Sequence, residues 1–340
     1  MVPGMEALVN YFLLRGDNEV LGRGELKALL EAYECRDAAI TCYTMLCIVR
    51  HRCRGIAERI VRRAGYIKEG GLLLAVDNPY EPSVILEKNL LDDGEAHASI
   101  LKNSVSNTVA EKYTSYLGER HGVRIVNTGR SNLRLLFSDG LVFIGLKTVE
   151  QDSKGMYYRS GRHRPYKRSI ALTPDVSRLL VNLTRIREGM VLLDPFAGTG
   201  SILLEAWSMN IRGIGVEVDW KLVHGMEENL RFYNTNAIPI LGDSTILDLI
   251  SVDAIATDPP YGRGASMHGH SYLELYSMFI DKAWSILRNN SYMSFMTPVE
   301  LEEVVGELLC RNGFTEVSRY YQYVHGGLTR VIYVVRKNEH

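Results

Sequence analysis

Long apolar runs are missing from this 340-residue chain. No stretch approaches the roughly 18 residues that suggest a membrane-spanning helix. The opening MVPGMEALVNYFLLRGDNEVLGRG also lacks the charged, apolar and small-residue segments of a secretory signal. A cytoplasmic protein with no membrane partner is the expectation. Charge of one sign is missing too: 39 basic and 40 acidic residues leave a formal net charge of −1. That balance gives no global support for nucleic-acid binding, so only a local patch could carry it. Cysteine is sparse, with five: Cys35, Cys42, Cys47, Cys53 and Cys310. An odd, sparse set argues against a disulfide scaffold, and although the first four are clustered, no two form a Cys-x-x-Cys pair. Buried or surface thiols are expected, and no metal site.

What is present is length enough for two or three domains and an apolar fraction of 46%, ample for sizeable cores. The first half mixes short elements. EALVNYFLL reads as a strand, RGELKALLEAY as a helix, AITCYTMLCIV as β-rich, and GIAERIVRRAG as a helix. Residues 97–117 have helical spacing at Ile100, Val105, Val109 and Tyr113. The strands NLRLLFSDG and LVFIGLKTV meet at an Asp-Gly turn, so this half reads as α+β with partly antiparallel sheets. Beyond Gln151 strands alternate with helices, which predicts a doubly wound α/β sheet closed by a hairpin near His325–Gly327.

LLDPFAGTGSILLEA is the first chemical motif. An apolar strand ends in Asp194. Gly198 and Gly200 let the chain turn sharply and admit a ligand to the backbone, and the helix that follows offers its amide end. The loop has no Gly-Lys-Ser/Thr ending, so a nucleoside triphosphate is not expected. Glu217 lies 19 residues beyond Gly198 at a second strand end and suits ribose hydroxyls, with Asp219 as the alternative. Asp243 ends a third strand.

AIATDPPYGRG is the second motif, an apolar strand feeding a rigid turn. Asp258 offers a carboxylate, Pro259 a carbonyl, and Tyr261 a flat ring. Together with Pro260 they make a site that accepts two hydrogens and stacks a plane. An exocyclic nucleobase amine fits it. Two acceptors favour a tetrahedral nitrogen whose lone pair points at an electrophile on the glycine-loop side. Asp258 can take the released proton.

These two motifs, in this order, resemble the class I S-adenosylmethionine-dependent methyltransferases that act on amino groups. The resemblance implies that Asp194, Pro195, Phe196, Ala197, Gly198, Thr199 and Gly200 line the methionine end of S-adenosylmethionine. Glu217 would hold its ribose and Asp243 its adenine amine. Asp258, Pro259, Pro260 and Tyr261 would hold the target amine. The stretch from Arg162 to Gly264 is similar to the archaeal tRNA (guanine-10 N2)-methyltransferases, with Ala197 where many relatives carry cysteine. That family implies a doubly wound, Rossmann-like methyltransferase sheet preceded by ferredoxin-like and THUMP domains. The expected divisions are 1–65 ferredoxin-like, 66–150 THUMP, 151–170 basic linker and 171–340 methyltransferase. It also implies tRNA as partner and, in some relatives, a small zinc-binding activator subunit. A DNA or other RNA amino-methyltransferase, or a non-catalytic RNA-binding scaffold, are the competing readings.

The segment SKGMYYRSGRHRPYKRS carries six basic residues and no acid. Arg159, Arg162, Arg164, Lys167 and Arg168, interleaved with tyrosines, are therefore expected to contact RNA phosphates, helped by Arg130 and Arg134 from the front half.

Overall fold

The computed structural model describes residues 7–86, 94–102, 104–126, 131–168, 171–248, 251–260, 271–326 and 328–339. They divide into two compact units, Met1–Gln151 and Asp152–His340. No helix among the described residues is long and apolar enough to cross a membrane.

The first unit runs β1 (Leu8–Leu14), α1 (Glu19–Ala32), β2 (Ala39–Tyr43), β3 (Leu46–His51), α2 (Ile56–Arg63), β4 (Ile67–Asp77), β5 (Glu95–Ile100), α3 (Asn107–His121), β6 (Arg124–Ile125), β7 (Leu133–Ser138) and β8 (Leu141–Glu150). Its strands form one sheet in the order β2-β3-β1-β4-β8-β7-β5-β6. The division expected between residues 65 and 66 is crossed by this sheet, because β4 pairs with both β1 and β8. The Asp139–Gly140 turn joins β7 to β8 with φ of +49° and +77°, the conformation that Asp-Gly tolerates in a two-residue hairpin. The helix expected from residue 97 begins only at Asn107. Residues 95–100 instead pair in parallel with β7, Ala96 opposite Leu133, and this tertiary pairing overrides the helical spacing.

The cysteines also depart from expectation. Cys35–Cys53 and Cys42–Cys47 are disulfides, and Cys310 is free and exposed. Linear spacing hid the second bridge because the pairing of β2 with β3 places Cys42 directly opposite Cys47. His51 lies close to Cys35 and Cys53. Its Nδ1 accepts the Cys53 N–H at 3.1 Å and its Nε2 faces Asn10 Oδ1 at 2.6 Å. The one lone pair of the neutral ring is thus engaged by backbone.

The second unit runs α4 (Ser153–Tyr158), α5 (Pro174–Leu183), β9 (Val191–Asp194), α6 (Ser201–Ser208), β10 (Arg212–Glu217), α7 (Trp220–Phe232), β11 (Ile238–Leu241), β12 (Val252–Thr257), α8 (Tyr272–Ile286), β13 (Leu287–Pro298), α9 (Glu302–Arg311), β14 (Phe314–His325) and β15 (Leu328–Lys337). The sheet order is β11-β10-β9-β12-β13-β15-β14. The first five strands are parallel and the last two antiparallel, the closing hairpin falling where the sequence placed it. Leu193, Ile255, Phe279, Phe295 and Tyr333 belong to its main core. The doubly wound sheet is as expected.

Candidate active site

The chain winds from β9 towards β11 on one side and from β12 towards β13 on the other. β9 and β12 are neighbours, Leu192 opposite Ala254, so the winding reverses between them. Open α/β sheets bind ligands in the crevice outside the carboxyl ends of the strands at such a switch point. Asp194 closes β9, and Asp258 follows the last residue of β12.

Asp194 is 2% exposed. Thr257 Oγ1 donates to its Oδ1 at 2.7 Å, and the Phe196 N–H donates to the same oxygen at 3.3 Å. Burial pushes the Asp194 carboxyl up to about 7; those two hydrogen bonds oppose the rise, and the charges of Asp258 and Glu217 add to it. The group is poised near neutrality where an exposed carboxyl would be fully ionised.

The loop after Asp194 is built from both sides. Pro195 is buried, and the Phe196 ring meets Phe279 edge-on at 5.4 Å. Ala197 donates its N–H to Val216 O at 3.0 Å. A Cβ built on Gly215 would come within 2.8 Å of Ala197 Cβ, so a small side chain is what this spot accommodates. Gly198 and Gly200 have φ of +52° and +84°, which other residues rarely adopt. A Cβ on Gly198 would meet nothing within 4 Å: the loop has open space on that side. Thr199 is buried, and its carbonyl accepts from Asn229 Nδ2 at 3.1 Å.

Glu217 is the acid that reaches this loop. Its Oε2 accepts the Gly198 N–H at 3.0 Å, and its Oε1 accepts the Val218 and Asp219 N–H groups at 2.9 and 3.0 Å. Asp219 is committed elsewhere, capping α7 through Lys221 N–H at 2.8 Å. Of the two acids, Glu217 is the one that reaches the glycine loop. Asp243 Oδ1 accepts from Thr245 N and Oγ1 at 2.9 and 2.6 Å, which fixes the carboxylate at the end of β11. The apolar side chains of Val218 and Ile246 stand exposed beside these two acids.

Past β12, Asp258 and Pro260 are partly buried and Pro259 is buried. Tyr261 lies outside the described residues. Arg330, on β15, brings its Nη2 to 3.8 Å from Asp258 Oδ2.

The basic segment is divided. Arg159 and Arg164 are not a phosphate track: both are buried. Arg159 donates to both carboxylate oxygens of Glu205 at 2.9 and 3.1 Å, and Arg178 adds a third bond at 2.7 Å. Arg164 donates to Arg159 O and to Ser201 Oγ, at the start of α6. Arg134 in the first unit is likewise buried, its Nε paired with Glu69 at 2.9 Å. Buried arginines need such partners, and a clustered basic sequence cannot reveal them. Arg162, Lys167 and Arg168 are exposed, as are the rings of Tyr157 and Tyr158. Arg130 lies outside the described residues. Residues 151–168 are no free linker either, since α4 and the two buried arginines pack within the second unit.

Sequence reasoning missed Thr257, Glu205, Asn229 and Arg330. Asn229 ties the glycine loop to Tyr166, exchanging hydrogen bonds with the Tyr166 backbone at 3.0 and 3.1 Å. Only Thr257 had a signal, its place directly before Asp258.

Residues 162–332 match the model of the family described as RMKL-like, methyltransferase domain. The chain is similar to the tRNA (guanine(10)-N2)-dimethyltransferase of Methanothermobacter thermautotrophicus, 38% identical over 182 residues, which is 51% of this chain and 53% of that protein. Against the protein of the same name from Pyrococcus abyssi it is 30% identical over 66% of this chain and 68% of that one. Against that from Methanocaldococcus jannaschii it is 26% identical, covering 96% and 99%. Among solved structures it resembles TrmN from Thermus thermophilus with a TM-score of 0.56 and 19% identity, over 98% of this chain and 100% of that one. That last likeness speaks for the fold.

Proposed function

Because the chain belongs to the family of RMKL-like methyltransferase domains, we propose that it methylates the exocyclic N2 amine of guanosine 10 in tRNA, with S-adenosylmethionine as the methyl donor. The observation that carries this reading is one sheet edge holding a glycine loop braced by Glu217 next to the Asp258-Pro259-Pro260 turn. The relatives named above supply the substrate, and their printed name supplies the expectation of two methyl groups.

The residues fit the cofactor. Glu217 and Asp243 are acceptor-only groups, suited to ribose hydroxyls and to an adenine amine. Val218 and Ile246 offer exposed apolar side chains next to them, for the faces of the base. Gly198 leaves open space where a Cβ would stand. Acidic Asp194, Glu217, Asp243 and Asp258 at neighbouring strand ends suit a cationic ligand. When bound, S-adenosylmethionine supplies an electrophilic methyl on a sulfonium.

The chain's own residues do the rest. Asp258 and the Pro259 carbonyl accept the two amine hydrogens, which takes the nitrogen lone pair out of conjugation with the ring. Asp258 then receives the proton that the alkylated amine must lose. The Pro259–Pro260 pair keeps this acceptor set rigid, since neither residue can rotate freely about φ. A guanosine in a stem must leave its stack to enter such a crevice, at a few kcal/mol. Exposed Arg162, Lys167 and Arg168, with Tyr157 and Tyr158, supply charge and stacking faces for the RNA.

The test is incubation with labelled S-adenosylmethionine and an unmodified tRNA transcript, beside a copy with adenosine at position 10. Nucleosides are identified by mass spectrometry, with and without a small zinc-binding activator subunit. N2-methylated guanosine from the first transcript alone supports the reading and counts the methyl groups. Equal labelling of both, or none under either condition, refutes it.

A further inference from the structure

We propose that Arg330 is a specificity residue that makes the site select guanine, donating to O6 of the target base while Asp258 accepts from its N1–H and N2–H. The inference rests on the methyl-transfer reading above and names how that site would choose its base.

Its starting point is topology. β15 runs antiparallel to β13, so its beginning returns to the sheet edge where the parallel strands end. Arg330 stands opposite Pro298, the last residue of β13, and opposite Gln322 of β14. From there its Nη2 lies 3.8 Å from Asp258 Oδ2, with side-chain exposures of 16% and 18%. That separation exceeds an N–H···O hydrogen bond. The two groups form an ion pair whose charged ends sit side by side, both partly shielded and both reachable.

The chemistry of the pair is directional. An ionised carboxylate only accepts, and a guanidinium only donates. Guanine displays along one edge a donor at N2, a donor at N1 and an acceptor at O6. An acceptor group followed by a donor group matches that order. Adenine and cytosine also carry exocyclic amines, but each places a ring-nitrogen lone pair next to the amine. A carboxylate spanning amine and ring nitrogen would face that lone pair in either base. The same arrangement gives a cation a place beside the acids Asp194, Glu217 and Asp258 at this sheet edge. Arg330 keeps the carboxylate compensated before the base arrives, and with the base present it supplies the third contact.

A hydrogen-bonding mismatch at a base edge costs about 1–3 kcal/mol, roughly 5- to 150-fold in discrimination. The probe is 2,6-diaminopurine, placed by ligation at the target position of an otherwise unmodified tRNA. It keeps the reactive 2-amine but presents a 6-amine, a donor, to Arg330 and a bare N1 to Asp258; the N1 change is common to the native protein and both variants, so the shift of the ratio between them reads Arg330 alone. Single-turnover rates of the full chain are measured on guanosine and diaminopurine substrates for the native protein, Arg330→Ala and Arg330→Lys, with cofactor affinity measured by calorimetry. The native protein should prefer guanosine. Arg330→Ala should shrink that preference about tenfold or more, chiefly by slowing guanosine, with cofactor affinity unchanged; Arg330→Lys should fall between. An unchanged guanosine-to-diaminopurine ratio overturns the proposal, whether both rates hold or both fall together. Equal falls would mean that Arg330 orients Asp258 or holds a phosphate. If the native protein does not methylate guanosine at all, it is the underlying reading that fails, a distinct result.

Discussion

Asparagine at position 194 should make the unliganded protein more stable, and increasingly so as pH rises. Asp194 is buried and its carboxyl is lifted from 3.8 to about 7, so its charge is disfavoured in the folded state. At about 1.4 kcal/mol per unit, holding that charge costs about 4 kcal/mol above pH 7. The sign follows from proton binding. Between the unfolded value near 4 and the folded value near 7, the native state binds more protons than the unfolded state, so stability falls as pH rises through this window. Asp194→Asn stays neutral throughout and keeps an oxygen to accept from Thr257 Oγ1 and the Phe196 N–H. The stability gap between variant and native protein should therefore widen by about 2 kcal/mol between about pH 5 and pH 7, then level off above pH 7. Urea unfolding followed by tryptophan fluorescence reads this locally, because Trp207, Trp220 and Trp284 all lie in the second unit. A gap that is flat or narrows over that range would refute the reasoning.

Four other variants test the scaffold and the RNA surface. Glu205→Ala strands Arg159 and Arg178 without their carboxylate and should cost about 3–5 kcal/mol in the same urea assay. Gly225→Ala places a Cβ 2.4 Å from the Tyr166 ring, whose backbone is pinned by Asn229, and should lower stability by about 1–3 kcal/mol, seen as a reduced Tm. Cys53→Ser opens a bridge between residues 18 apart in sequence; a loss of about 3 kcal/mol should appear as faster hydrogen exchange in β3 and α2. Replacing Arg162, Lys167 and Arg168 by alanine should weaken tRNA binding and reduce the slope of log affinity against log salt by about 2–3, measured by filter binding across ionic strength.

The parallel sheet and the acids at its edge were legible because each rests on local pattern. A short apolar strand followed by Asp194 and two glycines leaves the backbone few options, and Glu217, Asp243 and Asp258 stand at strand ends that periodicity alone marks. The basic segment was misleading in part. Sequence shows that Arg159 and Arg164 are charged, but their burial depends on Glu205 and Ser201, which arrive from a helix more than thirty residues on. Arg134 was lost for the same reason, through Glu69 on another strand. The disulfides depend on which strands pair, since Cys42 meets Cys47 only once β2 and β3 form a hairpin. Arg330 was invisible because nothing in the strand sequence LTRVIYVVRK says that an antiparallel strand brings its start back to the edge that holds Asp258. Long-range pairing, not composition, decided all four.

The central claim is that this edge has two halves, one holding the cofactor through Glu217 and one holding the amine through Asp258. It is tested most directly by measuring cofactor affinity calorimetrically and single-turnover methyl transfer to tRNA for Glu217→Ala and Asp258→Ala. The account predicts at least about tenfold weaker cofactor binding for Glu217→Ala, and for Asp258→Ala unchanged binding with transfer slowed about 100-fold or more. Normal transfer by Asp258→Ala, or an equal loss of cofactor affinity in both variants, would contradict it.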